Sequence, residues 1–355
     1  IDRLARAGVR FTQAYGHTQC SPARAMLLTG RHPQRSGVNG FMQRFAEGAE
    51  GSNLSPATLT LPDILKQHGW RTGLFGKWNL GASRKSRPLK HGYDRFFGFL
   101  GEHIHNLNHH YLAGRGFHDL YDDHRKVSQK NKYFPDLMTD RALEFIEKNK
   151  EQPFFVQFAF NLPHHPEISD PQFDERYKDL PMPRQSYAKM VSTLDHQLGR
   201  VFEHLRAHNL LGNTILIFTG DNGYSTERNA INTDRHKSRL PKGTNFGANG
   251  GGGNTGSWIG AKGKFTDGGI RVPAIIAYPA RIPKNDVRDQ AIMLTDWLPT
   301  ILDLCGLPQP GIELDGSSLL PILLDAEAPT HHKVMHWQFQ NIWAVREGSW
   351  KLIGK

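Results

Sequence analysis

Apolar residues recur at Tyr187, Met190, Val191, Leu194, Leu198, Val201, Phe202 and Leu205. This is the three-and-four spacing that lays one stripe along a helix face, and it predicts an amphipathic helix over 187–205. A second helix is predicted from Asp136 to Asn149, and a short one from Leu61 that stops at Gly69. The first seven residues read as the end of another helix, closed by Gly8. Strand-length runs, alternating or continuously apolar, fall at Val9 to Tyr15, Arg71 to Phe75, Pro153 to Phe160, Asn213 to Thr219 and Arg271 to Tyr278. Of these, the Pro153 run is expected to be largely buried.

Helix alternating with apolar strand over most of the chain predicts an α/β protein, a mostly parallel central sheet with helices on both faces. Ligands of such sheets sit beyond the carboxyl ends of the strands, so the loops that follow strands are where chemistry is expected. The closing runs Val334 to Phe339 and Trp343 to Ile353 predict a strand pair. They read as the start of a small C-terminal antiparallel subdomain, which divides the chain into a domain over 1–330 and a second part over 331–355. The chain opens without methionine inside a helical pattern and stops soon after a strand-like run. Both ends are therefore expected to be cut from a longer protein.

Composition narrows this picture modestly. With 355 residues, 38% hydrophobic and 22% charged, the chain has ordinary globular content. No run approaches the roughly 18 apolar residues of a membrane span, and the first residues, Ile1 to Gly8, lack the apolar core of a signal peptide. Forty-four Lys and Arg against 34 Asp and Glu give a formal charge of +10, which favours anionic partners. The basic residues are scattered, the densest cluster being Asp234 to Arg239, and no nucleic-acid motif occurs, so nucleic acid is not expected as a partner. The two cysteines, Cys20 and Cys305, have no spacing that suggests zinc, and Cys305 falls in a helical pattern as plain core.

Cys20 is different. It precedes Ser21, suited to a helix cap, Pro22, suited to a first helical position, and the helix formers Ala23 to Leu28. It is therefore expected just outside a helix N-terminus, where unpaired N–H groups and the helix dipole favour an anion and Arg24 adds positive charge. A thiol so placed would be acidified, which suits a nucleophile. Three readings stay open on these residues alone: a small buried hydrophobe, a thiol nucleophile, or the precursor of another group.

The stretch Cys20-Ser21-Pro22-Ala23-Arg24, continued by Leu27-Leu28-Thr29-Gly30-Arg31, resembles the signature of the type I, formylglycine-dependent sulfatases of the alkaline phosphatase superfamily. Further segments similar to that family follow in order. They are Gly76 to Gly81, Gly92 to Gly98, Pro163 to Pro166, Phe218 to Gly223, Ala261 to Pro273, Leu314 to Leu319 and Ala344 to Leu352. The resemblance implies an alkaline-phosphatase-like fold and a sulfuric ester hydrolase. It also implies that Cys20 is oxidised by a formylglycine-generating maturation enzyme to an aldehyde that hydrates to a geminal diol. One hydroxyl of the diol attacks sulfur and leaves a covalent sulfate ester on the enzyme, and the second expels sulfate by re-forming the aldehyde.

Roles for other residues follow from the same resemblance. Asp221 and Asn222 end a strand and match the family's calcium ligands, oxygen donors suited to a hard cation; on their own they also read as an Asp-Asn-Gly turn. Lys77 matches a lysine that holds a sulfate oxygen, and Lys262 one that stabilises charge near the leaving oxygen. His164, after the Pro153 to Phe160 strand, matches the histidine that helps protonate the departing alcohol, and its neighbour His165 is expected to point elsewhere if the chain is extended. Arg24 is expected to hold the diol in its reactive state. His103 and His105, in the histidine-rich stretch up to Tyr111, and the basic glycine-rich insertion from Tyr224 to Trp258 fall where substrate-binding loops vary; a mobile surface loop fits that insertion equally well.

Two departures stand out. Asn79 takes the place of a family histidine that receives the second hydroxyl's proton, and asparagine cannot act as that base, so it is expected only as a substrate contact. The family's first strand also carries an Asp-Asp pair on the calcium, and this chain begins after that point, leaving half of the metal site. The expected function is sulfate-ester hydrolysis on a sulfated carbohydrate, a preference resting on the charge and the basic loops, with a periplasmic or secreted location by family likeness. Two other functions stay open: a formylglycine-dependent phosphonate or phosphodiester hydrolase, and a non-catalytic sulfated-glycan-binding homologue.

Overall fold

The computed structural model describes residues 1–42, 53–247 and 251–355, and the chain divides into two compact units. The first comprises Ile1–Ile64, Arg206–Gly223 and Thr255–Lys355; the second comprises Leu65–Leu205 and Tyr224–Asn254.

In the first unit, a helix at Asp2–Ala7 leads into the strand Val9–Tyr15, the bounds its alternation predicts. This strand pairs in parallel with Asp286–Arg288 and Ile292–Met293 and antiparallel with Arg271–Ala277, which in turn pairs antiparallel with Leu216–Thr219. The sheet is thus mixed. Hydrophobic periodicity reports which face a strand buries and carries no sign for the direction of its partner. Val9, Phe11, Ala14, Val272, Ala274 and Ile276 from the sheet meet Ala23 and Met26 from the helix Cys20–Thr29, and Trp297 and Leu304 from the helix Trp297–Leu304. Phe11 and Trp297 pack edge to face with centroids 6.3 Å apart. Burial of each large apolar side chain here contributes about 1.5–3 kcal/mol.

The closing segment forms three antiparallel strands, Val334–Phe339, Ile342–Glu347 and Trp350–Gly354, where a pair is expected. The run from Trp343 is broken by a two-residue turn at Gly348-Ser349, with Gly348 at φ +55°, the left-handed conformation such hairpins require. The indole N–H of Trp337 donates to the carbonyl of Gly16 (3.0 Å) and ties this sheet to the end of the Val9–Tyr15 strand.

In the second unit, Arg71–Lys77 pairs in parallel on one side with Arg95–Phe99 and on the other with Phe154–Ala159. Short antiparallel strands Tyr121–Asp122 and Arg125–Lys126 extend the sheet past Arg95–Phe99. The helix Phe134–Asn149 buries Phe134, Met138, Ala142 and Phe145 against Phe75, Phe97 and Phe99 of the sheet. The predicted amphipathic helix runs from Arg184 to Ala207, all but its last two residues in this unit. It buries Met190, Leu194, Val201 and Leu205, and Gln197 donates to the Asp136 carboxylate (2.7 Å) on the Phe134–Asn149 helix. Phe154–Ala159 is half-buried where a largely buried strand is expected, because it is the terminal strand of this sheet. No described helix is long and apolar enough to cross a membrane.

Candidate active site

The first unit carries Cys20, Arg24, Asp221, Asn222 and Lys262. Cys20 is the first residue of its helix, with Gln19 at the cap and no side-chain capping bond, so Ser21 is not the expected cap; helix ends assigned from a pattern shift by a residue or two. Cys20 is buried at 7% exposure in the first helical turn, where N–H groups have no intrahelical acceptor. Arg24, four residues on and thus on the same face, places its Nε 3.6 Å from Oδ2 of Asp221.

Backbone bonds hold these pieces together. After the Val9–Tyr15 strand, Gly16 donates to the carbonyl of Ile270 (2.8 Å) and His17 to the carbonyl of Asp221 (3.0 Å). The chains approach so closely that a Cβ on Gly16 would lie 2.2 Å from the Asp221 carbonyl oxygen, so only glycine fits. Gly263 donates to the carbonyl of Thr18 (2.9 Å), which brings the turn carrying Lys262 to the segment that enters the Cys20 helix. Gly223 donates to Gly269 (2.9 Å) and anchors the far side of the Asp221-Asn222 pair.

Asn222 decides whether a hard cation suits this place. Its Nδ2 donates to the Gly223 carbonyl (2.7 Å), which fixes the amide, while its Oδ1 is buried with no hydrogen-bond partner among the described residues. An orphaned carbonyl oxygen costs about 1–3 kcal/mol unless something ligates it. With the carboxylate of the adjacent residue Asp221 it would give an oxygen-only donor set of the type calcium uses, and the residues fit that ion.

The second unit carries Lys77, Asn79, His103, His105 and His164. The strands Arg71–Lys77, Arg95–Phe99 and Phe154–Ala159 are parallel, with Gly76 opposite both Gly98 and Ala159, so their carboxyl ends share one edge of the sheet. Lys77 ends the first and Asn79 follows it, His103 follows the second and His164 the third. The ladder continues past the strands: Trp78 donates to Phe99 (3.0 Å) and Asn79 to Leu100 (3.2 Å), with Asn79 at φ +58°. Lys77 is 2% exposed and Asn79 1%. A lysine this deeply buried is kept in proteins where polar groups meet its ammonium.

His103 is buried with its ring 6.2 Å from that of His164 and 5.2 Å from that of His165, and it stacks on Phe246 at 5.4 Å. His105 closes its own turn: its Nδ1 accepts from the backbone N–H groups of Leu107 (3.2 Å) and Asn108 (3.3 Å). Burial, reinforced by His110, pushes its pKa down to about 4 and keeps the ring neutral. The stretch around His164 is a turn, with the His164 N–H donating to Asn161 (3.0 Å), and the rings of His164 and His165 lie 4.1 Å apart rather than pointing away from each other. Glu227, whose Oε2 lies 3.4 Å from Nδ1 of His165, joins this group from the Tyr224 to Trp258 insertion, which the sequence marks as a segment without marking this residue.

The mixed α/β architecture is that of an alkaline-phosphatase-like α/β protein, the fold of the solved sulfatases it is similar to. Residues 1–307 match the family model described as Sulfatase, and the chain belongs to the sulfatase family. It is 30% identical over 371 residues to N-acetylgalactosamine-6-sulfatase of Sus scrofa, covering 99% of this chain and 66% of that protein. It is 28% identical to an arylsulfatase of Hemicentrotus pulcherrimus, covering 99% of this chain and 62% of the relative. The chain therefore spans slightly less than two thirds of the length of these relatives. Among solved structures, Ps i-CgsB in complex with k-i-k-neocarrahexaose is similar with a TM-score of 0.83 and 25% identity, over 99% of this chain and 77% of that one.

Proposed function

We propose that the protein hydrolyses sulfate esters, with a sulfated carbohydrate as substrate. The observation that carries this reading is the Cys20 helix start, with Arg24 one turn on and ion-paired to Asp221, inside a chain of the sulfatase family. Relatives named for an N-acetylgalactosamine sulfate and a similar structure bound to k-i-k-neocarrahexaose support a carbohydrate, as does the formal charge of +10.

Conversion of Cys20 to formylglycine by a maturation enzyme would supply a hydrated aldehyde, an oxygen nucleophile with its own means of releasing sulfate. Asp221 and Asn222 would hold a calcium ion, which supplies positive charge against a sulfate oxygen. Arg24, held by Asp221, fixes the orientation of the group at position 20. Lys77 and Lys262 bind sulfate oxygens and offset the negative charge that grows on the leaving oxygen. The Nδ1 of His164 lies 2.8 Å from the carbonyl of His165. A carbonyl can only accept, so Nδ1 carries the hydrogen and Nε2 is the atom that exchanges a proton with the departing alcohol. Asn79 contacts substrate and takes no proton. A periplasmic or secreted location goes with this reading.

The test is mass spectrometry of the Cys20 peptide after co-expression with a maturation system, paired with sulfate release from a panel of defined sulfated saccharides. The expected result is the aldehyde at position 20 and sulfate release that Cys20→Ala abolishes. Full activity in protein whose Cys20 remains a thiol refutes the mechanism.

A further inference from the structure

The proposed reaction uses His164 and leaves its neighbours His165 and Glu227 without a task. These three residues each offer one ligand atom, and the three atoms lie within 4.8 Å of one another. The 3.4 Å between Nδ1 of His165 and Oε2 of Glu227 is longer than the roughly 2.7–2.9 Å of a charge-assisted hydrogen bond. It matches the edge of a tetrahedron drawn on metal–ligand bonds of about 2.0–2.1 Å, which is roughly 3.3–3.4 Å.

Donation from Nδ1 of His164 to the His165 carbonyl leaves the lone pair of the neutral ring on Nε2, the arrangement in which a backbone carbonyl orients a metal-binding imidazole. His165 is 5% exposed and lies against the rings of His103 and Phe246, so its rotation is restricted. Glu227 is half exposed and gives an ion a path from solvent, and its backbone N–H donates to Oγ of Ser225 (3.2 Å), which fixes the turn that presents it.

We propose that His164, His165 and Glu227 form a site for a first-row dication of the zinc class, and that its occupation inhibits the enzyme reversibly by engaging His164. Two imidazole nitrogens and one carboxylate oxygen form a three-ligand set that zinc and cobalt accept with an open fourth position, whereas calcium takes oxygen donors. This group and the Asp221-Asn222 pair therefore differ in chemistry: Asp221-Asn222 is hard and oxygen-only, and this one is nitrogen-rich. Binding of the ion stands on geometry alone, while the inhibition rests on the sulfatase reading.

The experiment titrates chelator-treated, calcium-saturated protein with Co2+ and follows the visible d–d bands that mark four- or five-coordination, with Zn2+ displacement as the competition arm. One equivalent is expected to bind. Glu227→Gln, at a half-exposed position that tolerates the change, and His165→Ala should each weaken binding by at least about tenfold. Zn2+ should block sulfate release by mature protein with a midpoint that rises by the same factor in Glu227→Gln, and chelation followed by calcium should restore it. No d–d bands, or an affinity that neither substitution changes, overturns the site. Tight, substitution-sensitive Co2+ binding with undiminished sulfate release overturns the inhibition. The same binding in mature protein that releases sulfate from no ester supports the site and refutes only the sulfatase reading.

Discussion

Adding a single methyl group at Gly16 loads the seam that holds Asp221 in place. A Cβ there would sit 2.2 Å from the Asp221 carbonyl oxygen and 3.3 Å from Cγ1 of Val272. A carbon–oxygen contact settles near 3.3 Å, so the two chains must part by about 1 Å. That movement stretches the 3.0 Å bond from His17 to Asp221 and disturbs the 2.8 Å bond from Gly16 to Ile270. Overpacking costs about 1–3 kcal/mol, and each of the two weakened bonds about 0.5–1.5 kcal/mol, so Gly16→Ala should lose roughly 2–6 kcal/mol. Gly220→Ala is the matched control on the neighbouring chain, since its Cβ would meet Pro273 and Val272 at ordinary distances of 3.5–3.6 Å. That control should be neutral or gain up to about 1 kcal/mol from the stiffer unfolded chain. Urea unfolding of both variants, compared at equal slope, measures the difference. If Gly16→Ala proves as stable as Gly220→Ala, the close approach is not what positions Asp221, and the account of this half of the site fails.

Calcium should raise the unfolding midpoint of the wild-type protein, by an amount equivalent to about 2.7 kcal/mol at a hundredfold excess over its dissociation constant, and Asn222→Leu should abolish most of that gain; an equal shift in the variant refutes the assignment of Oδ1. Lys262→Ala should lower kcat by roughly 100- to 1,000-fold, in line with loss of one transition-state donor, and an unchanged kcat refutes its role. Acid should destabilise the fold through buried neutral histidines: burial lowers His17 to about 3, and His91 and His109 to about 4. Above about pH 6.5 both states are neutral and this stability is fully present; as pH falls from there toward the folded values, only the unfolded chain takes up protons, and stability is lost. His17→Gln should therefore reduce proton uptake on unfolding near pH 5 by about one, read from the slope of unfolding free energy against pH, and an identical slope refutes it. His332 works in the opposite sense. Burial opposes its charge, but the buried Asp296 carboxylate raises its pKa, so its contribution is present at low pH and lost as pH rises through the folded value.

Several elements could be read directly from residue order, because they depend on local periodicity and short motifs. The bounds of Val9–Tyr15 and the core of the Arg184–Ala207 helix follow from which positions are apolar, and the Cys20 to Arg24 motif placed a helix start and the family within one stretch. Tertiary structure alone decided the rest. The antiparallel pairing of Val9–Tyr15 with Arg271–Ala277 joins strands far apart in the chain, and an apolar pattern is the same for either direction. The third strand of the closing sheet depended on Gly348 adopting a left-handed turn inside what reads as one apolar run. The convergence of His103, His164 and His165 arises because parallel strands put their following loops at one edge, and Glu227 reaches them from the insertion that starts at Tyr224, so long-range register, rather than any local pattern, brings these side chains together.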